Sequence, residues 1–256
     1  MFYLIRLMLV ISVTVPLCSL TILVGIFDPH GKQAYRINAL WSWLILKIGG
    51  VRLKVSGIEN IDPDHQYLFI VNHQSNIDIP VLVQALGQFQ LRWIAKKELL
   101  WVPIFGWAMW ATKHIIVDRS DSLDALKSLD VAKRRIAAGL SVVIFPEGTR
   151  SADGKLLPFK RGGFLLALKT KTPIVPITIN GTRKILPKGD WRIRDGEISI
   201  AIGAPLSSES YRPGGSRALS AQVQELIVQN LAPNDCPGAS EQQLARPNIA
   251  AQGRPW

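Results

Sequence analysis

The sequence predicts an α/β fold, a mostly parallel central sheet flanked by helices, behind an N-terminal membrane-embedded helix or helical hairpin. Three observations carry this expectation. Short apolar runs bounded by Gly, Pro or Asp recur from about residue 51 onward, as strands buried on both faces do. Helix-like segments fill the gaps between them, and strand alternating with helix is the pattern of a parallel sheet covered on both sides. Ahead of all this, Leu7 to Phe27 holds 21 residues with no ionisable side chain other than Cys18.

At 1.5 Å per residue that first run makes a helix of roughly 30 Å, the hydrocarbon thickness of a bilayer. A secretory signal fits poorly, because the run is long and no small-x-small cleavage site follows it. Pro16 at mid-run predicts a kink. A polar turn is expected around Asp28 to Arg36. Leu40 to Lys47 is then apolar again but too short to cross, with Trp41 and Trp43 suited to an interface. Residues 1–50 therefore read as a membrane anchor, a span or a re-entrant hairpin. Lys32, Arg36, Lys47, Arg52 and Lys54 follow the apolar run against Arg6 before it, which places the bulk of the chain on the cytoplasmic side of the inner membrane.

Residues 51–230 read as the α/β domain. Strands are expected at Val51 to Val55, Tyr67 to Val71, Ile115 to Val117, Ser141 to Ile144, Ile174 to Ile177 and Ile198 to Ile202, with a further short run at Leu91 to Ala95. Helices are expected at Ile79 to Leu86, Ser122 to Ala138, Gly163 to Lys171 and Ala218 to Leu231. Leu99 to Thr112, with Trp101, Phe105, Trp107 and Trp110, is too short to span and reads as an interfacial patch or the wall of an acyl-chain groove. Residues 231–256, rich in Pro, Gln, Ala and Gly without periodicity, read as a flexible tail.

At 48% apolar and 19% charged residues, the chain is not disordered. Its two cysteines, Cys18 and Cys236, form neither a metal-type spacing nor a disulfide framework. No metal and no cofactor is expected. The first 28 residues balance Arg6 against Asp28, and the last 26 balance Arg246 and Arg254 against Asp235 and Glu241, so the whole net charge of +11 sits between them. That charge points to a polyanionic partner: nucleic acid, an anionic bilayer or a phosphorylated substrate.

The chemistry-bearing residues fall at strand ends. Asn72-His73-Gln74-Ser75-Asn76-Ile77-Asp78 follows one apolar run directly. Residues five apart in one helix are rotated by about 140°, so the chain must bend for Asp78 to reach the His73 imidazole. A carboxylate there sets the tautomer and raises the basicity of the other nitrogen, making His73 a candidate general base for a hydroxyl. The same residues also suit a capped helix start with Pro80 in its first turn. Phe145-Pro146-Glu147-Gly148-Thr149-Arg150 follows a second run, and ligands of open parallel sheets lie at strand C-termini. Arg150 suits bidentate phosphate binding, and Glu147 suits a hydroxyl or an arginine. Lys96, Lys97, Arg119, Lys160 and Arg161 are further cations after apolar runs or opening a helix. No Gly-x-Ser-x-Gly elbow is present.

Taken in order, His73-xxxx-Asp78, Gly106 leading to Asp118-Arg119, Phe145-Pro-Glu-Gly-Thr-Arg150 and Val175-Pro176-Ile177 resemble the four blocks of the glycerolipid acyltransferases, specifically the 1-acyl-sn-glycerol-3-phosphate (lysophosphatidic acid) acyltransferase family. The resemblance covers about residues 40 to 206 and departs at Lys113-His114, where members usually carry Gly-Asn or similar. It implies transfer of a fatty acyl group from acyl-CoA or acyl carrier protein to the sn-2 hydroxyl of lysophosphatidic acid, giving phosphatidic acid. It also implies His73 as base and Asp78 as its partner. Arg119, Glu147, Gly148, Thr149, Arg150 and Lys97 are implied at the acceptor, and Val175, Pro176 and Ile177 near the acyl donor. Membrane lipid is then the expected surroundings, and nucleic acid is not an expected partner. The rival readings are an acyltransferase for another acceptor, such as glycerol-3-phosphate or a lyso-ornithine lipid, and a basic membrane- or nucleic-acid-binding protein without catalysis. The last leaves unexplained why His73, Asp78, Glu147 and Arg150 all sit at strand ends.

Overall fold

A computed structural model describes residues 1–118, 122–212 and 214–232; the expected tail and Arg119 lie outside the described residues apart from 231 and 232. The chain begins with two helices, α1 (Phe2–Ile26) and α2 (Lys32–Gly49). It continues β1 (Val51–Ser56), β2 (Leu68–Val71), α3 (Asp78–Ala85), β3 (Leu91–Lys96), α4 (Phe105–Ala111), β4 (Ile115–Val117), α5 (Ser122–Ala137) and β5 (Ser141–Ile144). Then follow α6 (Gly162–Thr170), β6 (Ile174–Asn180), α7 (Thr182–Ile185), β7 (Gly196–Ile202) and α8 (Ser216–Gln229).

The seven described strands form one sheet in the order β1-β7-β6-β2-β5-β3-β4. All neighbours are parallel except β6 and β7. The central strands β2 and β5 are buried at every residue, and alternation divides their side chains between two cores. Phe69 and Val71 join Leu82, Leu86 and Tyr35 on the face covered by α2 and α3. Leu68 and Ile70 join Leu129, Phe164 and Val223 on the face covered by α5, α6 and α8. Edge strand β1 carries Arg52 and Lys54, and Lys54 pairs with Glu197 across to β7 at 2.9 Å, a charged edge that resists pairing with another chain.

One N-terminal expectation changes. The polar turn is shorter than the sequence indicates, because α2 already starts at Lys32; the Asp28 carboxylate accepts from the amides of Gln33 and Ala34 at 2.6 and 3.0 Å and so supplies the cap. Helix α1 runs from Phe2 to Ile26 with Pro16 inside it. It is the one helix among the described residues long and apolar enough to cross a membrane, yet both of its ends touch the α/β domain. Near its start the Arg6 guanidinium donates to the Ile193 carbonyl at 2.9 Å and pairs with Asp195. Near its end Gly25 packs on Ala111 of α4, where an added Cβ would stand 2.5 Å from that alanine's own. Trp41 of α2 donates to the Thr14 hydroxyl at 3.0 Å. The outer face stays apolar and exposed at Leu4, Met8, Ile11, Leu20, Leu23 and Ile26.

Arg92 of β3 ties this hairpin down. Fully buried, it donates to its neighbour Leu91's carbonyl and to the His30 carbonyl in the α1–α2 turn, both at 2.8 Å, and lies over the Tyr35 ring. Burial lowers its guanidinium to about 10, which still leaves it charged at neutral pH.

Candidate active site

β2 and β5 are adjacent and parallel, in register from Leu68 opposite Val142 to Ile70 opposite Ile144, so their C-terminal exits coincide. Asn72 shapes the first exit. Its amide side chain donates to the Ile179 carbonyl at 2.9 Å and accepts from the Ile179 amide at 2.8 Å, prolonging the β2–β6 ladder by one rung through a side chain. The backbone of His73 is thereby turned toward β5, and its N–H donates to Glu147 Oε1 at 2.6 Å.

The chain then bends, as the five-residue spacing requires. Asp78 opens α3 and is fully buried; its Oδ2 lies 2.7 Å from His73 Nδ1 and accepts from the amides of Gln74 and Ser75, both at 2.9 Å. Three donors on one oxygen make the loop between His73 and Asp78 a closed ring of hydrogen bonds. Because the carboxylate is an acceptor, Nδ1 carries the proton and Nε2 is left as the basic nitrogen. The imidazole is fixed from the side as well: its ring stacks on Phe145 with centroids 3.8 Å apart, and Trp93 stacks parallel beyond Phe145 at 6.0 Å.

Glu147 sits behind this assembly. It is 4% exposed, with Oε1 on the His73 amide and Oε2 accepting from the Leu157 amide at 2.9 Å. Burial pushes its carboxyl up to about 8, against the pull of the Leu157 and His73 amides, and the charge of Asp78 adds to the rise. Gly148, next in the chain, has φ +72°, a left-handed turn that glycine adopts at no steric cost.

A cavity of about 670 Å³ adjoins the imidazole. His73, Lys96, Gly148, Thr149 and Arg150 are among the residues that line it. Apolar and weakly polar residues of α1, α2 and α4 line it as well: Leu17, Cys18, Trp41, Phe105, Ala108 and Met109. His114, in the wall, is a neutral imidazole, lowered to about 3 by burial and by the charges of Arg92 and Arg135. Among the described residues no group of three or more His, Cys, Asp or Glu side chains offers a metal site.

His73, Asp78, Gly148, Thr149 and Arg150 are thus brought to one place, whereas other expected site residues are not. Glu147 is turned away from the cavity, because both its oxygens are taken by backbone amides. Lys97 pairs with Asp118 at 3.4 Å, and its neighbour Lys96 takes the place on the wall. Val175, Pro176 and Ile177 are buried inside β6, opposite Phe69, Ile70 and Val71 of the strand that carries His73. Asn72, Phe145 and Trp93 are site residues whose roles sequence reasoning missed. Their only signal is aromatic or amide character at a strand, with partners far away in the chain.

The acyltransferase family model matches residues 52–180, half of the chain. The chain is 33% identical over 180 residues to 1-acyl-sn-glycerol-3-phosphate acyltransferase alpha of Ovis aries, covering 70% of this chain and 62% of that one. It is 34% identical over 195 residues to 1-acyl-sn-glycerol-3-phosphate acyltransferase of Limnanthes douglasii, covering 76% and 68%. The match thus spans less than two thirds of the length of the sheep protein. Among solved structures, the 1-acyl-sn-glycerophosphate (LPA) acyltransferase PlsC from Thermotoga maritima superposes with a TM-score of 0.71 at 26% identity, covering 89% of this chain and 95% of that one. Matched in sequence over half its length and in fold over most of it, the chain belongs to the acyltransferase family, beside the 1-acyl-sn-glycerol-3-phosphate acyltransferases.

Proposed function

We propose that this protein transfers a fatty acyl group from an acyl thioester, acyl-CoA or acyl carrier protein, to the sn-2 hydroxyl of 1-acyl-glycerol-3-phosphate, giving phosphatidic acid. The observation that carries the reading is one cavity lined both by His73 and Arg150 and by apolar residues of the two N-terminal helices and α4. His73 Nε2 takes the proton of the acceptor hydroxyl as its oxygen attacks the thioester carbonyl. The tetrahedral intermediate collapses with cleavage of the C–S bond, and the imidazolium returns the proton to the leaving thiolate. Asp78 orients the ring and stabilises the imidazolium. A thioester is already activated, so no enzyme nucleophile is needed. Arg150 serves the acceptor phosphate as a bidentate donor, with Gly148 and Thr149 beside it. Glu147 acts as a positioning residue through the His73 amide, and the acyl chain lies along the apolar lining.

We further propose that α1 lies within one leaflet with its exposed face in the hydrocarbon and does not cross, the α/β domain facing the cytoplasm. This is supported by the contacts of both helix ends with that domain. Residues 1–50 are then the anchor and 51–230 the catalytic domain.

The test is thiol release from an acyl thioester with and without lysophosphatidic acid. Wild type is expected to release thiol only with the acceptor present, and His73→Ala to lose about 10²- to 10⁴-fold in kcat, the span of general-base catalysis. Equal rates for the two proteins sink the proposal. An acceptor panel including glycerol-3-phosphate separates the preferred acceptor from its rivals.

A further inference from the structure

The connection between β6 and β7 carries a cation that the functional reading leaves unused. Pro187-Lys188-Gly189-Asp190 is a tight turn: the Asp190 amide donates to the Pro187 carbonyl at 3.1 Å, and Gly189 has φ +87°, the positive value that the third position of a type II turn demands. Asp190 stiffens it, with Oδ1 accepting from the amides of Trp191 and Arg192 and from the Arg192 guanidinium, and Oδ2 from Arg194. The turn is also fastened to both active-site loops. The Ser75 hydroxyl donates to the Leu186 carbonyl at 2.6 Å, and Lys188 Nζ donates to the Arg150 carbonyl at 2.9 Å.

The side chain of exposed Lys188 is therefore held against Arg150, one of the residues that line the cavity. Several other cations pair with carboxylates: Lys54 with Glu197, Lys97 with Asp118, Lys171 with Glu209, Arg192 with Asp190, Arg6 with Asp195. Among the described residues neither Lys188 nor Arg150 has such a partner. Lys188 Nζ on the Arg150 carbonyl brings a second positive charge to the residue that lines the cavity, and neighbouring cations without a carboxylate partner favour an anion. A phosphate monoester, carrying close to two negative charges at neutral pH, matches that pair.

We propose that Lys188 is a second ligand of the acceptor phosphate, a point charge set beside the Arg150 fork. This deepens the function proposed above and rests on it. The test compares Lys188→Gln, which keeps an N–H donor and drops the charge, with Lys188→Arg, which keeps the charge. In Lys188→Gln the KM for 1-acyl-glycerol-3-phosphate is expected to rise about tenfold, with the thioester KM unchanged, and in Lys188→Arg to stay within about threefold. Transfer to uncharged 1-acylglycerol should not distinguish Lys188→Gln from wild type. An unchanged KM, or an equal loss with the uncharged acceptor, overturns the proposal, the second outcome leaving Lys188 a purely structural role. Equilibrium binding of 1-acyl-glycerol-3-phosphate, read as a thermal shift in detergent, keeps the two readings apart. Binding that weakens in Lys188→Gln upholds the phosphate site even if wild type transfers no acyl group, and equal binding rejects it.

Discussion

His73 owes its geometry to three groups of different chemistry: a carboxylate on Nδ1, an aromatic face and a buried acid on its own amide. The first was legible in the sequence, because a five-residue spacing at a strand end forces a bend that brings Asp78 back. The other two were not, since Phe145 and Glu147 reach His73 across more than seventy residues and only strand order makes them neighbours. Glu147 yields a pH prediction. Folded, its carboxyl keeps its proton up to about 8, whereas the unfolded group loses it near 4.5. Between those values the folded state holds the extra proton, so this group's contribution to stability falls as pH rises. Thermal midpoints measured across that range should fall less steeply in Glu147→Gln than in wild type, from a lower starting point because the amide cannot accept from two N–H groups. An unchanged slope would show that the acid titrates normally.

At the scale of elements, the central feature is the shared exit of β2 and β5, with α1 and α2 contributing to the cavity wall. Strand and helix positions were readable from apolar runs and their Gly and Pro boundaries, and Leu99 to Thr112, read as interfacial patch or groove wall, supplies Phe105, Ala108, Met109 and Thr112 to the cavity. Less readable were the early start of α2, which depends on Asp28 reaching two amides five and six residues on, and the antiparallel β7. The contact of Gly25 with Ala111 sets the spacing of α1 and α4. Gly25→Leu is expected to cost about 1–3 kcal/mol through overpacking, lowering the thermal midpoint in detergent. It should also alter the preference among thioester donors of different chain length, because it moves a cavity wall. An unaltered donor panel would mean that this wall does not touch the acyl chain.

For the whole molecule, the contacts of α1 favour one of two topologies that length and composition leave equal. A crossing helix delivers its ends to opposite sides, yet here both ends contact the same domain. In a Cys18→Ser, Cys236→Ser background, Tyr3→Cys and Phe27→Cys are therefore expected to react with a membrane-impermeant maleimide from the same side of oriented vesicles. Labelling from opposite sides would establish a span. The net charge of +11 adds a salt-sensitive attraction to anionic lipid, while the exposed apolar face of α1 should keep the protein on membranes in high salt.

The amino-acid order alone determined the alternation of strand and helix, the apolar N-terminal helix, the placement of His73, Asp78 and Arg150 at strand ends and the family they resemble. Each is written in local spacing and hydrophobic period, which neighbouring residues reveal. The tertiary structure decided that Glu147 faces the backbone of His73, that Lys97 pairs off with Asp118 while Lys188 stands at Arg150, and that the two N-terminal helices help to wall the cavity. Those outcomes depend on which strands lie side by side and on which buried polar groups find partners there. Such choices are settled by the packing of distant segments, and no local pattern encodes them.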